Sequence, residues 1–133
     1  MAHRRSVATA YHKRLSEMGF RVPRCPAKAN PAFVRYPVWV ENPAFTERAA
    51  IKYATLGTWF TSVLEEAHSP DCGDYETGSC PRAEEAARHL VNLPTNPRVT
   101  AYDVEAIVSA LARAEAMTGG KDSTLVSQDP MRN

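Results

Sequence analysis

Residues 75–100 read YETGSCPRAEEAARHLVNLPTNPRVT, and this stretch decides the fold of the 133-residue chain. Ser79 or Cys80 can cap a helix, and Pro81 suits its first position because the ring presets φ and the missing N–H would have no partner there. Glu84 lies in the first turn, where the positive end of the helix dipole favours an acid. The stretch therefore predicts a helix that begins at Pro81.

The second half of the same stretch predicts a short strand and a further helix. Val91 to Leu93 leave the first helix as an apolar run, and Pro94 and Pro97 prevent the helix from continuing. Thr100 followed three residues later by Asp103 resembles a capping box before an apolar stripe, with Asp in place of Glu or Gln.

Outward from this stretch, hydrophobic periodicity predicts the other elements. Val7, Tyr11, Leu15 and Met18 recur at helical spacing before Gly19, which supplies a left-handed stop. The predicted helices lie near residues 4–18, 43–56, 81–90 and 101–116, and the predicted strands near 20–22, 33–40, 58–61 and 91–93. The fold class is therefore α+β, with a small antiparallel β-sheet packed against about four helices.

The strand over residues 33–40 is the best strand candidate, because β-branched and aromatic side chains dominate it. Its alternation places Val34, Tyr36, Val38 and Val40 on one face. Pro37 removes one ladder donor, which argues for an edge position or a bulge.

Composition narrows the functional classes. With 16 basic and 15 acidic residues the formal net charge is +1, which gives no field for attracting nucleic acid or an anionic membrane. No apolar run approaches the ~18 residues that span a bilayer, and the N-terminal residues lack the apolar segment of a signal peptide. We therefore expect a cytoplasmic protein with neither a nucleic acid nor a membrane as its partner.

The cysteines and the polar carboxy-terminal residues give expectations about disulfides, metal binding and domain bounds. Cys25, Cys72 and Cys80 are an odd count, so reduced thiols are favoured over disulfides. His68, Cys72 and Cys80 match no standard zinc spacing, so no metal site is predicted. Residues 1–117 are expected to form one domain and residues 118–133 a polar, disordered tail.

Residues 64–78 form a long loop rich in carboxylates, and loops of this length inside a compact domain are often functional. His68 is the only histidine in this loop. It is a candidate for substrate contact or proton transfer, although a lone loop histidine is more often simply exposed. The carboxylates are interpreted as keeping the loop solvated.

At these residues the chain resembles the carboxy-terminal part of the DegT/DnrJ/StrS family of sugar aminotransferases, over about residues 4–114. The resemblance rests on Pro81, Ala83 and Glu84, on Leu93, Pro94 and Pro97, and on Thr100, Asp103 and Val104. Two departures are visible: Asn96 stands where the family often has His, and Thr-Trp-Phe-Thr-Ser at residues 58–62 replaces a His-Tyr-Pro type motif. The second departure puts the substrate class in doubt.

The resemblance implies an enzyme that uses pyridoxal phosphate to move an amino group from an amino acid to a nucleotide-linked keto-sugar. It implies that this piece forms one wall of the substrate cleft. The candidate substrate-binding residues are Gly57, Thr58, Trp59, Phe60, Ser62, His68 and Tyr75. Trp59 and Phe60 also have a structural interpretation as core aromatics, which is the commoner role of such a pair.

The resemblance also implies what this chain does not contain. A Schiff-base lysine, a carboxylate for the pyridinium nitrogen and a phosphate cradle belong to the family's large domain. Lys13, Lys28, Lys52 and Lys121 do not lie in such a setting, so no catalytic or cofactor-binding residue is predicted. The chain alone is expected to be inactive.

Three hypotheses follow. In the first, the chain is the small domain of such an aminotransferase and works with a large pyridoxal-phosphate-binding domain that is encoded separately or missing, self-association being left open. In the second, it is a stand-alone binding or interaction module that kept the fold and lost the chemistry. In the third, it is a truncation or a gene remnant.

Overall fold

A computed structural model describes residues 1–57, 63 and 74–119. The elements in chain order are α1 (Ala2–Glu17), β1 (Arg35–Trp39), α2 (Pro43–Ala50), α3 (Pro81–His89), β2 (Leu90–Pro94) and α4 (Ala101–Thr118). Within these ranges, four helices accompany a two-stranded antiparallel sheet. The predicted α+β class is confirmed.

The sheet pairs β1 with β2 in antiparallel register, from Arg35 opposite Pro94 to Trp39 opposite Leu90. Pro37 lies opposite Asn92, and the backbone N–H and C=O of Asn92 both bond to Gly57 on its other side, at 2.9 Å each. Because that pair exchanges no ladder bonds, the missing N–H of Pro37 leaves no acceptor in β2 unpaired. The edge position that Pro37 suggested is therefore consistent with the register.

The core lies between the helices and the inner face of the sheet. α4 packs against both α1 and α2, and its inward stripe follows the spacing of an amphipathic helix. The core side chains include Val7, Tyr11, Leu15, Tyr36, Val38, Val40, Val91, Leu93, Val104, Ile107, Val108 and Leu111. No helix within the described ranges combines the length and apolarity needed to cross a bilayer.

Capping signals that can be recognised in the sequence act at the helix ends. The Asn42 side chain accepts the backbone N–H of Phe45 at the start of α2. Thr100 and Asp103 form a reciprocal capping box at the start of α4. Gly19 follows α1 with φ +81°, the left-handed conformation that favours glycine.

Some predicted segments differ. The strand predicted over 20–22 is wrong, because only the C=O of Arg21 joins the edge of β1, accepting the N–H of Trp39. A proline-rich segment follows directly, and proline supplies no ladder donor. α2 ends at Ala50 rather than near residue 56, since the next three side chains, residues 51–53, are exposed and give the helix no buried face to extend.

Two side chains that were predicted to face inward are exposed. Met18 is 42% exposed, because it follows the end of α1. Val34 is 61% exposed, because it precedes β1 and does not take part in the alternation of side chains along the strand. The strand predicted over residues 58–61 and most of the predicted tail, residues 120–133, lie outside the described residues. α4 itself continues to Thr118, one residue beyond the predicted domain boundary.

A buried hydroxyl ties three segments together at one end of the sheet. Thr95 is fully buried, and its Oγ1 lies 2.7 Å from the carbonyl oxygen of Phe33 and 2.8 Å from that of Val34. The same oxygen accepts a bond from Arg4 Nη1, which also donates to the Val34 carbonyl. Thr95 therefore links α1, the entry to β1 and the exit from β2.

We predict that Thr95→Val lowers the free energy of unfolding by about 2 kcal/mol, because the isosteric side chain removes the hydroxyl that bonds the Phe33 carbonyl and accepts from Arg4, two hydrogen bonds that are partly buried. Chemical denaturation monitored by circular dichroism measures this change. The matched control is Thr55→Val, an exposed position where the change should stay within about 0.5 kcal/mol. Equal effects at both positions would contradict the assignment of Thr95 as a structural link.

Candidate functional site

Gly57 is the first of the predicted site residues and the last residue of its segment that the structure describes. It is buried and forms an isolated bridge with Asn92 of β2. Asn92 is itself buried, with 5% of its surface exposed. Within the described residues, Gly57 thus adds one paired position to the sheet on the side of β2 opposite β1.

Tyr75 is held by a carboxylate in the first turn of α3. Its hydroxyl donates to Glu84 Oε1 at 2.5 Å, and the backbone N–H of Gly78 donates to the same oxygen at 2.6 Å. The hydrogen bond to the carboxylate raises the pKa of Tyr75. The same two donors lower the pKa of Glu84, since they stabilise its charged form.

The turn that carries Tyr75 has a tightly specified backbone. Asp74 has φ +55° and Gly78 has φ +95°, and the second value suits glycine in particular. Cys80 is the N-cap residue of α3, but its side chain makes no capping hydrogen bond. Of the two capping residues that the sequence offered, Cys80 therefore holds the position while Glu84 satisfies the nearby backbone donor.

The structure brings the two described site residues onto one continuous unit. α3 runs into β2 without an intervening loop, because His89 ends the helix and Leu90 begins the strand. Gly57 is bonded to the strand, and Tyr75 to the helix. The other candidate residues, Thr58, Trp59, Phe60, Ser62 and His68, lie outside the described residues.

The small-residue face of α3 does not pack as the sequence predicted. The helical spacing of Ala83, Ala86, Ala87 and Leu90 predicts a narrow face of mostly small side chains that can approach a sheet or partner closely. In the structure Ala83 is exposed and the other three are only half-buried. Within the described part of the chain, α3 contributes no fully buried side chain. Its position is held by its continuity with β2 rather than by burial of this face.

Asn96, one of the departures from the family pattern, has a local structural role. Its Oδ1 accepts the backbone N–H of Arg98 at 3.0 Å, which is the asparagine-turn arrangement common in loops. With Arg35, Tyr53 and Arg98, among others, Asn96 lines an open cavity of about 350 Å³ at the exit of β2. This exit turn therefore places polar and aromatic side chains together.

An aromatic stack that sequence reasoning missed lies at the other end of β1. The rings of Trp39 and His89 are nearly parallel with centroids 4.7 Å apart, and the Arg21 guanidinium lies 4.1 Å from the centre of the Trp39 ring. His89 Nδ1 lies 3.0 Å from the carbonyl oxygen of Val40, so Nδ1 carries the proton. No periodicity marks this stack, because its members come from three separate segments.

Carboxylates border this stack. Glu115 accepts the backbone N–H of Glu41 at 2.9 Å, and partial burial raises the pKa of Glu115. Both residues line a cavity of about 340 Å³ with Arg21 and Trp39. The arrangement places cations and anions around the half-buried Trp39 ring, which suits a polar surface better than a buried catalytic group.

Comparison with known proteins gives the family. A sequence profile of the DegT/DnrJ/EryC1/StrS aminotransferase family matches residues 1–112. The chain therefore belongs to this family of aminotransferases. A search of curated proteins gives no match.

Solved structures give the same fold. The chain superposes on a DegT/DnrJ/EryC1/StrS aminotransferase from Brucella abortus with TM-score 0.69 and 20% identity, covering 91% of this chain and 31% of that one. S. venezuelae DesV, solved with a ketimine intermediate, gives TM-score 0.73 and 23% identity, covering 86% of this chain and 32% of that one. The aminotransferase TlmJ from Streptoalloteichus hindustanus gives TM-score 0.69 and 23% identity, covering 89% of this chain and 32% of that one. The chain thus spans about a third of the length of these structures.

The described lysines do not fit covalent attachment of pyridoxal phosphate, the cofactor of this family. A Schiff-base lysine needs a sheltered site that favours its neutral amine. Lys13, Lys28 and Lys52 are all exposed, and none lines a cavity described above. Lys121 lies outside the described residues. We therefore derive no chemical step through the cofactor from this chain.

We predict that the Gly78 amide resonance titrates with a midpoint below 4.5, the ordinary pKa of Glu84, because both donors favour its ionised form. The lowered pKa means that the carboxylate stabilises the turn above the unfolded-state pKa. That contribution is lost as the pH falls through the folded-state value. Two-dimensional NMR of the labelled chain gives the midpoint.

Glu84→Gln should abolish this titration of Gly78, while the neighbouring exposed Glu85→Gln should leave it intact. A Gly78 resonance that titrates unchanged in Glu84→Gln would show that another group holds the turn.

Proposed function

We propose that this chain is the carboxy-terminal small domain of a cytoplasmic pyridoxal-phosphate-dependent aminotransferase that aminates nucleotide-linked keto-sugars. The observation that carries the proposal is how the chains superpose: about nine-tenths of this chain matches only about a third of each aminotransferase. A chain of this size is sufficient for one domain of such an enzyme. The remaining two thirds would supply the cofactor.

The role of this domain is to shape the substrate cleft. Gly57 is bonded to β2 and Tyr75 to α3, so both described ends of the segment between them are attached to consecutive elements of the chain. In the proposed enzyme this segment, with Thr58, Trp59, Phe60, Ser62 and His68, forms one wall of the cleft. Holding a substrate in a reactive orientation is a large contribution to catalysis even without a reacting side chain.

The partner in this proposal is a large pyridoxal-phosphate-binding domain, on the same polypeptide or on another one. The exposed lysines of the described chain support this division of labour. A docking partner of this kind would cover apolar surface that is now exposed, for which Ile51 and Tyr102, 63% and 77% exposed, are available.

The experiment joins the two parts. DesV lacking the third that this chain matches is mixed with, or fused to, the 133-residue chain and assayed with glutamate, pyridoxal phosphate and a nucleotide-linked keto-sugar. We expect amino-sugar formation, detected by mass spectrometry, only when both parts are present. Complex formation without product would favour a binding module in place of an enzyme domain.

Borohydride reduction supplies an independent readout on this chain alone. We expect no single lysine to be labelled stoichiometrically by pyridoxal phosphate, with each described lysine reacting weakly as an exposed amine. Turnover by the isolated chain, or stoichiometric labelling of one lysine, would overturn the division between the two domains. Peptide mapping identifies the lysine in that case.

A further inference from the structure

Two neighbouring cavities lie between α1 and the segment that leads from it to β1. The smaller, of about 270 Å³, lies between α1, the end of that segment and the first half of β1. The larger, of about 640 Å³, follows residues 20–25. His12 and Cys25 line both cavities, so the two adjoin, and we call them together the α1 cleft.

The charge of the α1 cleft is one-sided. Arg5 lines the smaller cavity and Arg24 the larger one, and among the described residues neither lining contains an acidic side chain. Arg21 also lines the larger cavity, but its guanidinium lies over the Trp39 ring, on the side where Glu41 and Glu115 are found. The ion pairs that Arg14 forms with Glu17 and Glu105 lie outside this cleft. A chain with a net charge of only +1 therefore places two guanidinium groups in one concave surface whose described lining has no acidic side chain.

The floor of the smaller cavity is apolar and aromatic. Phe33 and Tyr36 pack with ring centroids 5.2 Å apart, and Ala8 and Pro31 complete this surface. The Tyr36 hydroxyl lies 3.0 Å from His12 Nδ1. This bond occupies one imidazole nitrogen and leaves Nε2 for a ligand. Pockets that bind small molecules combine such an apolar floor with a few polar groups.

We propose that the α1 cleft binds a small aromatic carboxylate. The ring would lie on Phe33 in the smaller cavity, and the carboxylate would accept hydrogen bonds from the Arg5 guanidinium. One Arg5 N–H already reaches the Asn30 carbonyl at 3.4 Å, and the guanidinium carries four more. This site shares no residue with the proposed aminotransferase cleft, so either proposal can fail without the other.

The first test uses benzoate and its neutral analogue benzamide, titrated into the labelled full-length chain. We expect benzoate to shift the amide resonances of Thr9, His12, Cys25 and Asn30, and benzamide or acetate to shift them at least about fivefold more weakly, because each lacks one recognised part. Arg5→Gln should weaken benzoate binding by about fivefold, whereas Arg82→Gln, on exposed α3, should not. Circular dichroism confirms that each variant is folded.

Equal shifts from benzoate and acetate would overturn the aromatic part of the proposal, and shifts confined to other residues would overturn the site. No shift at millimolar benzoate would overturn it altogether. Benzoate binding should also weaken as salt rises, since the attraction is between exposed charges.

The second test uses Cys25, which is exposed in the wall of both cavities, as a chemical reporter. The Cys25 thiolate attacks one sulfur of 5,5′-dithiobis(2-nitrobenzoate), forms a mixed disulfide and releases one thionitrobenzoate. The neutral reagent 4,4′-dithiodipyridine reacts in the same way and lacks the carboxylates. The ratio of the two rates therefore reports attraction of an aromatic carboxylate.

We expect this ratio to be about fivefold higher in the Cys72→Ser/Cys80→Ser variant than in the matched Cys25→Ser/Cys72→Ser variant, whose remaining exposed thiol is Cys80. Arg5→Gln and Arg24→Gln should each lower the ratio at Cys25. Equal ratios at the two cysteines would contradict the proposal.

Discussion

The antiparallel pairing of β1 with β2 is the constraint on which the described structure depends. A two-stranded sheet is marginal by itself, so this one requires α1, α2 and α4 to cover its inner face. Helix side chains such as Tyr11 and Leu15 of α1 and Ile107 of α4, all of which are fully buried, form the core on that face. At the end of the sheet, the carbonyl groups of Phe33 and Val34 need hydrogen-bond donors, and Thr95 and Arg4 supply them. The same pair of strands is therefore stabilised both by burial of apolar side chains and by hydrogen bonds.

This constraint also positions the candidate site. Because α3 continues directly into β2, a residue attached to either element has a fixed place relative to the sheet. Gly57 is attached through two backbone bonds to Asn92, and Tyr75 through the Glu84 carboxylate. Both described ends of the candidate segment are thus held by hydrogen bonds, in a chain that covers about a third of its structural relatives.

Local signals in the sequence were sufficient for most of the fold. The Asn42 cap, the Thr100–Asp103 capping box and the Gly19 stop each act within a few residues, so their chemistry is visible without knowledge of the tertiary structure. The apolar spacing of α1 and α4 likewise identified their buried faces. The strand predicted over residues 20–22 failed because a strand exists only if a partner runs alongside it, and composition does not specify that partner.

The candidate site was harder to predict from the sequence, because its contacts also join residues that are far apart in the chain. Tyr75 was identified by resemblance, but its carboxylate partner Glu84 was interpreted only as a helix-dipole residue. The stack of Arg21, Trp39 and His89 joins residues up to 68 positions apart, counted from 21 to 89, and no local pattern encodes such a meeting. No local pattern marks Thr95, yet its hydroxyl is a buried structural link.

Pro37 has a consequence for how the protein behaves at high concentration. The outward edge of β1 offers a template on which strands from other molecules could assemble into aggregates. Pro37 presents no N–H there, and the N–H of Trp39 is already taken by the Arg21 carbonyl. A residue that appears to weaken the sheet therefore protects the chain from intermolecular strand addition, and so helps to keep separate molecules apart.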